Sequence, residues 1–283
     1  MQFPAYLNHP MIVQQVTQAL KEDIGSGDIS ASLVPNENMN ATLITREAGI
    51  LCGQAWFEAA FKVQDPAVQI QWHKNDADEL EPNDVLATLS GPSHALLQAE
   101  RTALNFLQTL SGTATRTRTY VKALEGEETC LLDTRKTLPF LRLAQKYAVL
   151  CGGGMNHRLG LYDQVLLKEN HIRSSGSVTA ILKKAIAAGS PDPIQIEVES
   201  LEELEEAIQA GAQWALLDNF SLTDMAAAVK VNKQRIKLEA SGNVSVENIK
   251  EIARTGVNYI SVGAITKHLT SLDLSLLFDM DAA

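Results

Sequence analysis

The chain has 283 residues, 45% of them apolar and 20% charged, enough for one large or two smaller globular domains with full cores. Its 24 Lys and Arg stand against 34 Asp and Glu, a net charge of −10, which excludes a general binder of nucleic acid or anionic membrane, because phosphate surfaces need a surplus of cations. Cys52, Cys130 and Cys151 have neither disulfide-framework nor zinc-finger spacing, no apolar run reaches the ~18 residues of a membrane helix, and the start has no signal-peptide pattern; the expectation is a cytoplasmic protein with reduced thiols.

Residues 1–110 mix helix and strand signals without a regular period. Pro10 stands where the first position of a helix is expected, with Ile12, Val16 and Leu20 on one face; Gly25, Ser26, Gly27 and Asp28 end it. Strands are expected at 41–45, 68–72 and 85–89, the second alternating through Val68, Ile70 and Trp72. Helical spacing returns over 94–110. From residue 111 to 269 the pattern becomes regular. Apolar or β-branched runs occupy 130–133, 164–168, 194–198, 215–218, 236–240 and 259–262. Amphipathic stretches at 178–189, 201–210, 222–233 and 246–254 follow the second to fifth of these in turn, with Gly189, Gly211 and Gly256 as helix stops. Repeated strand–helix units mean a parallel sheet. Six runs are fewer than the eight of a complete barrel, so an incomplete α/β barrel is expected, with an open doubly wound sheet as the alternative.

In either architecture ligands bind at the carboxyl ends of the strands. Polar residues gather there in three kinds. Arg135, Lys136 and Lys168, with His157 and Arg158 from the loop after the glycines 152–154, form a cationic set that suits a ligand with more than one negative charge. The glycines themselves read as a flexible turn that lets His157 and Arg158 reach the site. Glu197 and Asp218 end neighbouring strands; two close carboxylates suit a shared Mg²⁺, or else pair with Arg135 or Lys168. Ser241, Gly242 and Asn243, and Val262, Gly263 and Ala264, form small-residue turns that present backbone N–H groups to a phosphate.

Seven segments carry a resemblance: Asp133-Thr134-Arg135-Lys136-Thr137, Asn156-His157-Arg158-Leu159-Gly160-Leu161, Leu167-Lys168-Glu169-Asn170-His171, Glu197-Val198-Glu199, Leu217-Asp218-Asn219, Glu239-Ala240-Ser241-Gly242 and Ser261-Val262-Gly263-Ala264. Together with Glu22 to Asp28 and Ala99 to Asn105, they make the chain resemble the quinolinate phosphoribosyltransferase family, in the family's order from about residue 20 to 270. It departs at Asn243, where many relatives have a second glycine, and at Lys267, where many have a histidine directly after the threonine. The resemblance implies an N-terminal α/β sandwich (1–110, with 270–283 packing back on it) and a C-terminal incomplete α/β barrel (111–269). It further implies a homodimer in which Arg101, beside Glu100, completes the neighbour's site. The implied activity moves phosphoribose from phosphoribosyl pyrophosphate to quinolinate, with Mg²⁺ at Glu197 and Asp218. Substrate contacts fall to Arg101, Thr134, Arg135, Lys136, His157, Arg158 and Lys168, and phosphate contacts to the two small-residue turns. Three other readings stay open on residue chemistry: a sister phosphoribosyltransferase acting on nicotinate or a related acid, a Schiff-base aldolase with Lys168 as nucleophile, and a metabolite-binding protein without turnover.

Overall fold

The computed structural model describes residues 3–189 and 193–279; positions 1–2 and 280–283, at the two ends of the expected N-terminal domain, lie outside the described residues. In chain order it contains α1 (His9–Ile24), β1 (Asn38–Thr45), β2 (Gly49–Ile50), α2 (Gln54–Gln64), β3 (Gln69–Trp72), β4 (Glu79–Leu80), β5 (Val85–Pro92) and α3 (Ser93–Ala123). There follow β6 (Cys130–Leu132), α4 (Arg142–Cys151), β7 (Leu166–Leu167), α5 (Glu169–Ser175), α6 (Val178–Ala187), β8 (Gln195–Val198), α7 (Leu201–Gln209), β9 (Trp214–Asp218), α8 (Leu222–Asn232), β10 (Lys237–Ser241), α9 (Ile249–Ala253), β11 (Tyr259–Ser261), α10 (Ala264–Lys267) and β12 (Leu274–Phe278). They fall into two compact units. The first runs to Arg118 and adds Leu138–Gly153 and the chain from His268; the second is Thr119–Thr137 with Gly154–Lys267. The expected division at residue 110 therefore lies inside α3, and α4 belongs to the first unit.

The first unit is built on an antiparallel sheet ordered β12-β1-β5-β3. Strand β12 pairs along β1, with Leu43 opposite Leu276, so the C-terminal segment returns to this sheet. Helix α1 starts with Asn8 as cap, its side chain accepting the Met11 N–H, and buries Ile12, Val16 and Leu20 as its spacing predicts. Trp56, Phe57 and Phe61 of α2 are fully buried in the same core. Asp76 closes this unit internally: Oδ1 accepts the N–H groups of Gly53 and Gln54 at the start of α2, and Oδ2 accepts the Tyr147 hydroxyl at 2.8 Å.

Helix α3 runs far beyond the 94–110 expected, because its second half is rich in Thr, Ser and Gly, poor helix signals on their own. The structure resolves the conflict by internal bonding. Thr113 and Thr117 donate their hydroxyls to the carbonyls four residues earlier, at 3.1 and 2.8 Å, and so lie buried without orphaned groups. Gly152 corrects the expectation of a flexible turn. A Cβ there would lie 2.5 Å from the Ala114 carbonyl oxygen and from Thr117 Cβ, so this glycine serves close packing of α4 against α3.

The second unit holds a six-stranded parallel sheet ordered β6-β11-β10-β9-β8-β7. That order steps through neighbouring strands in one winding direction, with the first strand placed beside the last. It is the order of a barrel interrupted between β6 and β7, and it rejects the doubly wound alternative, whose order reverses at a switch point. Strand β7 is only two residues long, shorter than the expected 164–168. Met155 makes a parallel bridge to Leu132, so the segment leading to His157 and Arg158 lies along the free side of β6. Among the described residues no helix is long and apolar enough to cross a membrane.

Replacing Asp76 by Ala removes three acceptor contacts from the first unit and leaves their donors buried. We expect Asp76→Ala to cost about 2–3 kcal/mol in urea unfolding, and a loss under 1 kcal/mol would count against this role.

Candidate active site

The carboxyl ends of the second unit's strands enclose a cavity of about 510 Å³. Its walls contain Thr134, Arg135, Lys136, His157, Arg158, Lys168, Glu197, Asp218, Ser241, Gly242 and Asn243, all singled out by sequence. The parallel sheet explains the convergence, because every strand delivers the residue after its apolar run to the same edge.

Lys168 caps α5, with its backbone N–H donating to His171 Nδ1. Its ammonium lies 2.7 Å from Glu197 Oε2. Glu197 is the penultimate residue of β8, with its side chain nearly buried, whereas Lys168 is half-exposed. Burial raises the Glu197 carboxyl above the ordinary range; Lys168 opposes this, and the neighbouring Glu169 and Asp218 reinforce it. Glu169, hydrogen-bonded to Glu197, is lowered in turn.

Asp218 is oriented by the next residue. Asn219, at φ 56°, donates its amide to Asp218 Oδ2 at 3.0 Å, while its backbone N–H donates to the Ser241 carbonyl. Its side-chain oxygen Oδ1 fills the space beside Gly242, where a Cβ would come within 2.1 Å. Gly242 itself lies at φ 101°, so the turn after β10 demands glycine twice over. Asn243 also adopts the left-handed region, at φ 50°, which asparagine tolerates, and Asn248 donates to its carbonyl.

The cationic side is tied to β6. Asp133 is fully buried and accepts the His157 N–H and the Asn156 amide, both at 2.8 Å. Arg158 stands close enough to Arg135 to feel it. Burial, then the like charge of Arg135, lower the Arg158 guanidinium, and Asp163 opposes them. Two guanidiniums and two ammoniums around one cavity are the electrostatic complement of a polyanion.

His157 departs from the expected cationic role. Its Nδ1 accepts the Arg158 backbone N–H at 2.7 Å, and its Nε2 faces Glu239 Oε2 at 3.3 Å. Both ring nitrogens are thus engaged within the protein, and the ring lies in the cavity wall. Of the last turn, Val262 is buried and its N–H donates to the Leu132 carbonyl, which leaves that donor unavailable to a phosphate. Gly263 packs against Lys136 and Thr134, and Ala264 opens α10. Arg101 and Glu100 lie on α3 in the first unit and are not among the cavity's walls. Asn219 and Glu239 line the cavity without having been given roles. For Glu239 the signal was present: a carboxylate inside a strand run, between Leu238 and Ala240. Among the described residues, no group of three or more His, Cys, Asp or Glu side chains is arranged to hold a metal ion.

Comparisons with known proteins agree with this geometry. Family models described as the N-terminal and C-terminal domains of quinolinate phosphoribosyl transferase match residues 28–111 and 113–277. A "Probable nicotinate-nucleotide pyrophosphorylase [carboxylating]" of Bacillus subtilis is 42% identical over 272 residues, 95% of this chain and 94% of its own. The nicotinate-nucleotide pyrophosphorylase structure from Francisella tularensis superposes with a TM-score of 0.95 at 46% identity, covering 99% of this chain and 100% of its own. That from Ehrlichia chaffeensis gives 0.91 at 36% identity, covering 99% and 100%.

The raised Glu197 carboxyl carries a stability prediction. A raised folded-state value means that the fold prefers the protonated form. Its contribution is therefore fully present below the ordinary glutamate value of about 4.3 and is lost as pH rises through the raised one. Glu197→Gln is expected to melt at or above the wild-type temperature at pH 7, with the difference shrinking toward pH 4.5. A variant that melts lower than wild type at pH 7 would contradict this.

Proposed function

We propose a reaction for this site from one premise: the chain belongs to the quinolinate phosphoribosyltransferase family, whose two domain models match most of its length. The reaction transfers phosphoribose from phosphoribosyl pyrophosphate to quinolinate, giving nicotinate mononucleotide, CO₂ and pyrophosphate, in the cytoplasm. The observation that supports it most directly is local charge reversal. A chain of net charge −10 assembles Arg135, Lys136, Arg158 and Lys168 around one cavity, opposite Glu197 and Asp218.

Arg135 and Arg158 are suited to the two carboxylates of quinolinate, because a guanidinium fork matches a planar carboxylate. Thr134 and the His157 ring shape the wall beside them. Lys136 and Lys168 act as point charges between the dicarboxylate and the pyrophosphate. The turn of Ser241, Gly242 and Asn243, with Gly263 and Ala264 across from it, takes the 5′-phosphate through backbone donors.

Glu197 and Asp218 are also the residues to hold Mg²⁺. Two carboxylates without a third protein ligand suit this ion, which keeps waters and binds substrate oxygens in preference to an all-protein cage. When bound, Mg²⁺ supplies charge neutralisation to the departing pyrophosphate. The same two carboxylates are suited to stabilising positive charge as it develops at the anomeric carbon. Once the ring nitrogen is glycosylated, its positive charge stabilises the electron pair left on the neighbouring carbon as the carboxylate leaves as CO₂, and a proton from water then takes that position. The residues then need only position and screen charge, with no dedicated general acid. The site is completed in a homodimer by Arg101 of the partner subunit, flanked by Glu100 of the partner subunit.

Purified protein given quinolinate, phosphoribosyl pyrophosphate and Mg²⁺ is expected to release nicotinate mononucleotide, CO₂ and pyrophosphate. Nicotinate is expected to compete weakly, because it lacks the carboxylate that the second guanidinium holds. Absence of product, or equal use of nicotinate, overturns the reading. Lys168→Ala should lower kcat about 100-fold or more with an intact fold; wild-type turnover would remove Lys168 from the mechanism. Mixing Arg101→Ala with Lys168→Ala chains under subunit exchange should regain activity in hybrid dimers, because one of the two sites is then intact; no recovery counts against the shared site.

A further inference from the structure

Glu239 is a fully buried carboxylate on β10 that the reaction above leaves without a task. Its Oε2 accepts the Gln195 amide at 2.7 Å and meets His157 Nε2 at 3.3 Å. Gln195 is itself fully buried on β8. The His157 ring leans on Trp214, centroids 5.8 Å apart, and Trp214 on Tyr259 at 4.9 Å. A carboxylate in such surroundings is costly to desolvate and adds little to stability, even when paired. An apolar side chain of similar volume would pack there at lower cost. Its presence therefore points to a task in the site.

The task follows from the two ring nitrogens of His157. A neutral imidazole carries its proton on one nitrogen and accepts on the other. Nδ1 accepts the Arg158 backbone N–H at 2.7 Å, so the ring proton belongs on Nε2, where Glu239 is the acceptor. The opposite tautomer would set the Nδ1 proton against the Arg158 N–H and leave Glu239 facing a lone pair. Asp133 fixes the same segment from its other side, through the His157 N–H. The Arg158 backbone is thus reached from Glu239 through one imidazole.

We propose that Glu239 is a positioning residue: by accepting the His157 Nε2 proton it selects the tautomer whose Nδ1 holds the Arg158 backbone, and so sets how the Arg158 guanidinium enters the cavity. This inference rests on the quinolinate reading. The effect should then fall on the dicarboxylate substrate, which Arg158 holds, and spare phosphoribosyl pyrophosphate, whose proposed contacts include neither His157 nor Arg158. Glutamine at this position retains an oxygen acceptor for the Nε2 proton, whereas alanine does not.

The test uses the full-length enzyme with Glu239→Ala and Glu239→Gln. In Glu239→Ala the KM for quinolinate is expected to rise about tenfold, the loss of roughly one hydrogen bond. Its KM for phosphoribosyl pyrophosphate should stay within about twofold, and Glu239→Gln should recover most of the quinolinate KM. In ring-¹⁵N histidine spectra of the wild type, with the His157 signals assigned by their loss in His157→Gln, Nε2 should be protonated and Nδ1 bare. An unchanged quinolinate KM in folded Glu239→Ala overturns the inference, as does an equal rise for both substrates. A wild-type His157 protonated at Nδ1 overturns it even if Glu239→Ala does not fold. A wild type that forms no product from quinolinate overturns the proposed reaction instead, and the tautomer spectrum still tests the Glu239–His157 link.

Discussion

Everything at the site depends on how the segment 155–158 is attached to β6. Met155 bridges Leu132, and Asp133, at the end of the same strand, accepts from Asn156 and His157 with both carboxylate oxygens. The barrel is interrupted between β6 and β7, so the free side of β6 has backbone groups to satisfy. A segment that satisfies them gains a fixed position at low cost. It brings Arg158 against Arg135 at an edge where the other strands deliver Lys168, Glu197, Asp218 and Ser241.

That position comes with electrostatic strain of a useful kind. Burial, and after it Arg135, lower the Arg158 guanidinium; burial, with a smaller part from Glu169 and Asp218, raises the Glu197 carboxyl. Like charges have been collected on each side of the cavity, and the Lys168–Glu197 pair joins the two sides. A site that already satisfied all its charges would have little to offer a ligand. One that holds cations apart by rigid backbone, glycine-packed turns and buried carboxylates stores an attraction that an anion releases. The net charge of −10 is therefore a property of the exterior and says nothing against an anionic substrate.

Much of this was legible in the chain. The strand–helix repeat gave the parallel sheet, and the polar residues after each apolar run gave most of the cavity wall. What was not legible has identifiable causes. The second half of α3 was hidden because Thr113 and Thr117 satisfy their hydroxyls within the helix, which no propensity shows. Gly152 looked like a hinge because sequence cannot show a carbonyl 2.5 Å from an absent Cβ. His157 looked like a cation because residue type does not reveal which ring nitrogen accepts a backbone N–H.

The sequence by itself determined the architecture of the second unit and the residue types at its active edge. Both are periodic, local signals: an apolar run fixes a strand, and the residue after it fixes what the strand presents. Tertiary structure decided everything that depends on two distant segments meeting. It chose the interrupted barrel over the open sheet by placing β6 beside β11. It withdrew the Val262 N–H from the phosphate turn by giving it to Leu132. It also fixed the His157 ring in the cavity wall, because Glu239, 82 positions further along the chain, lies against it.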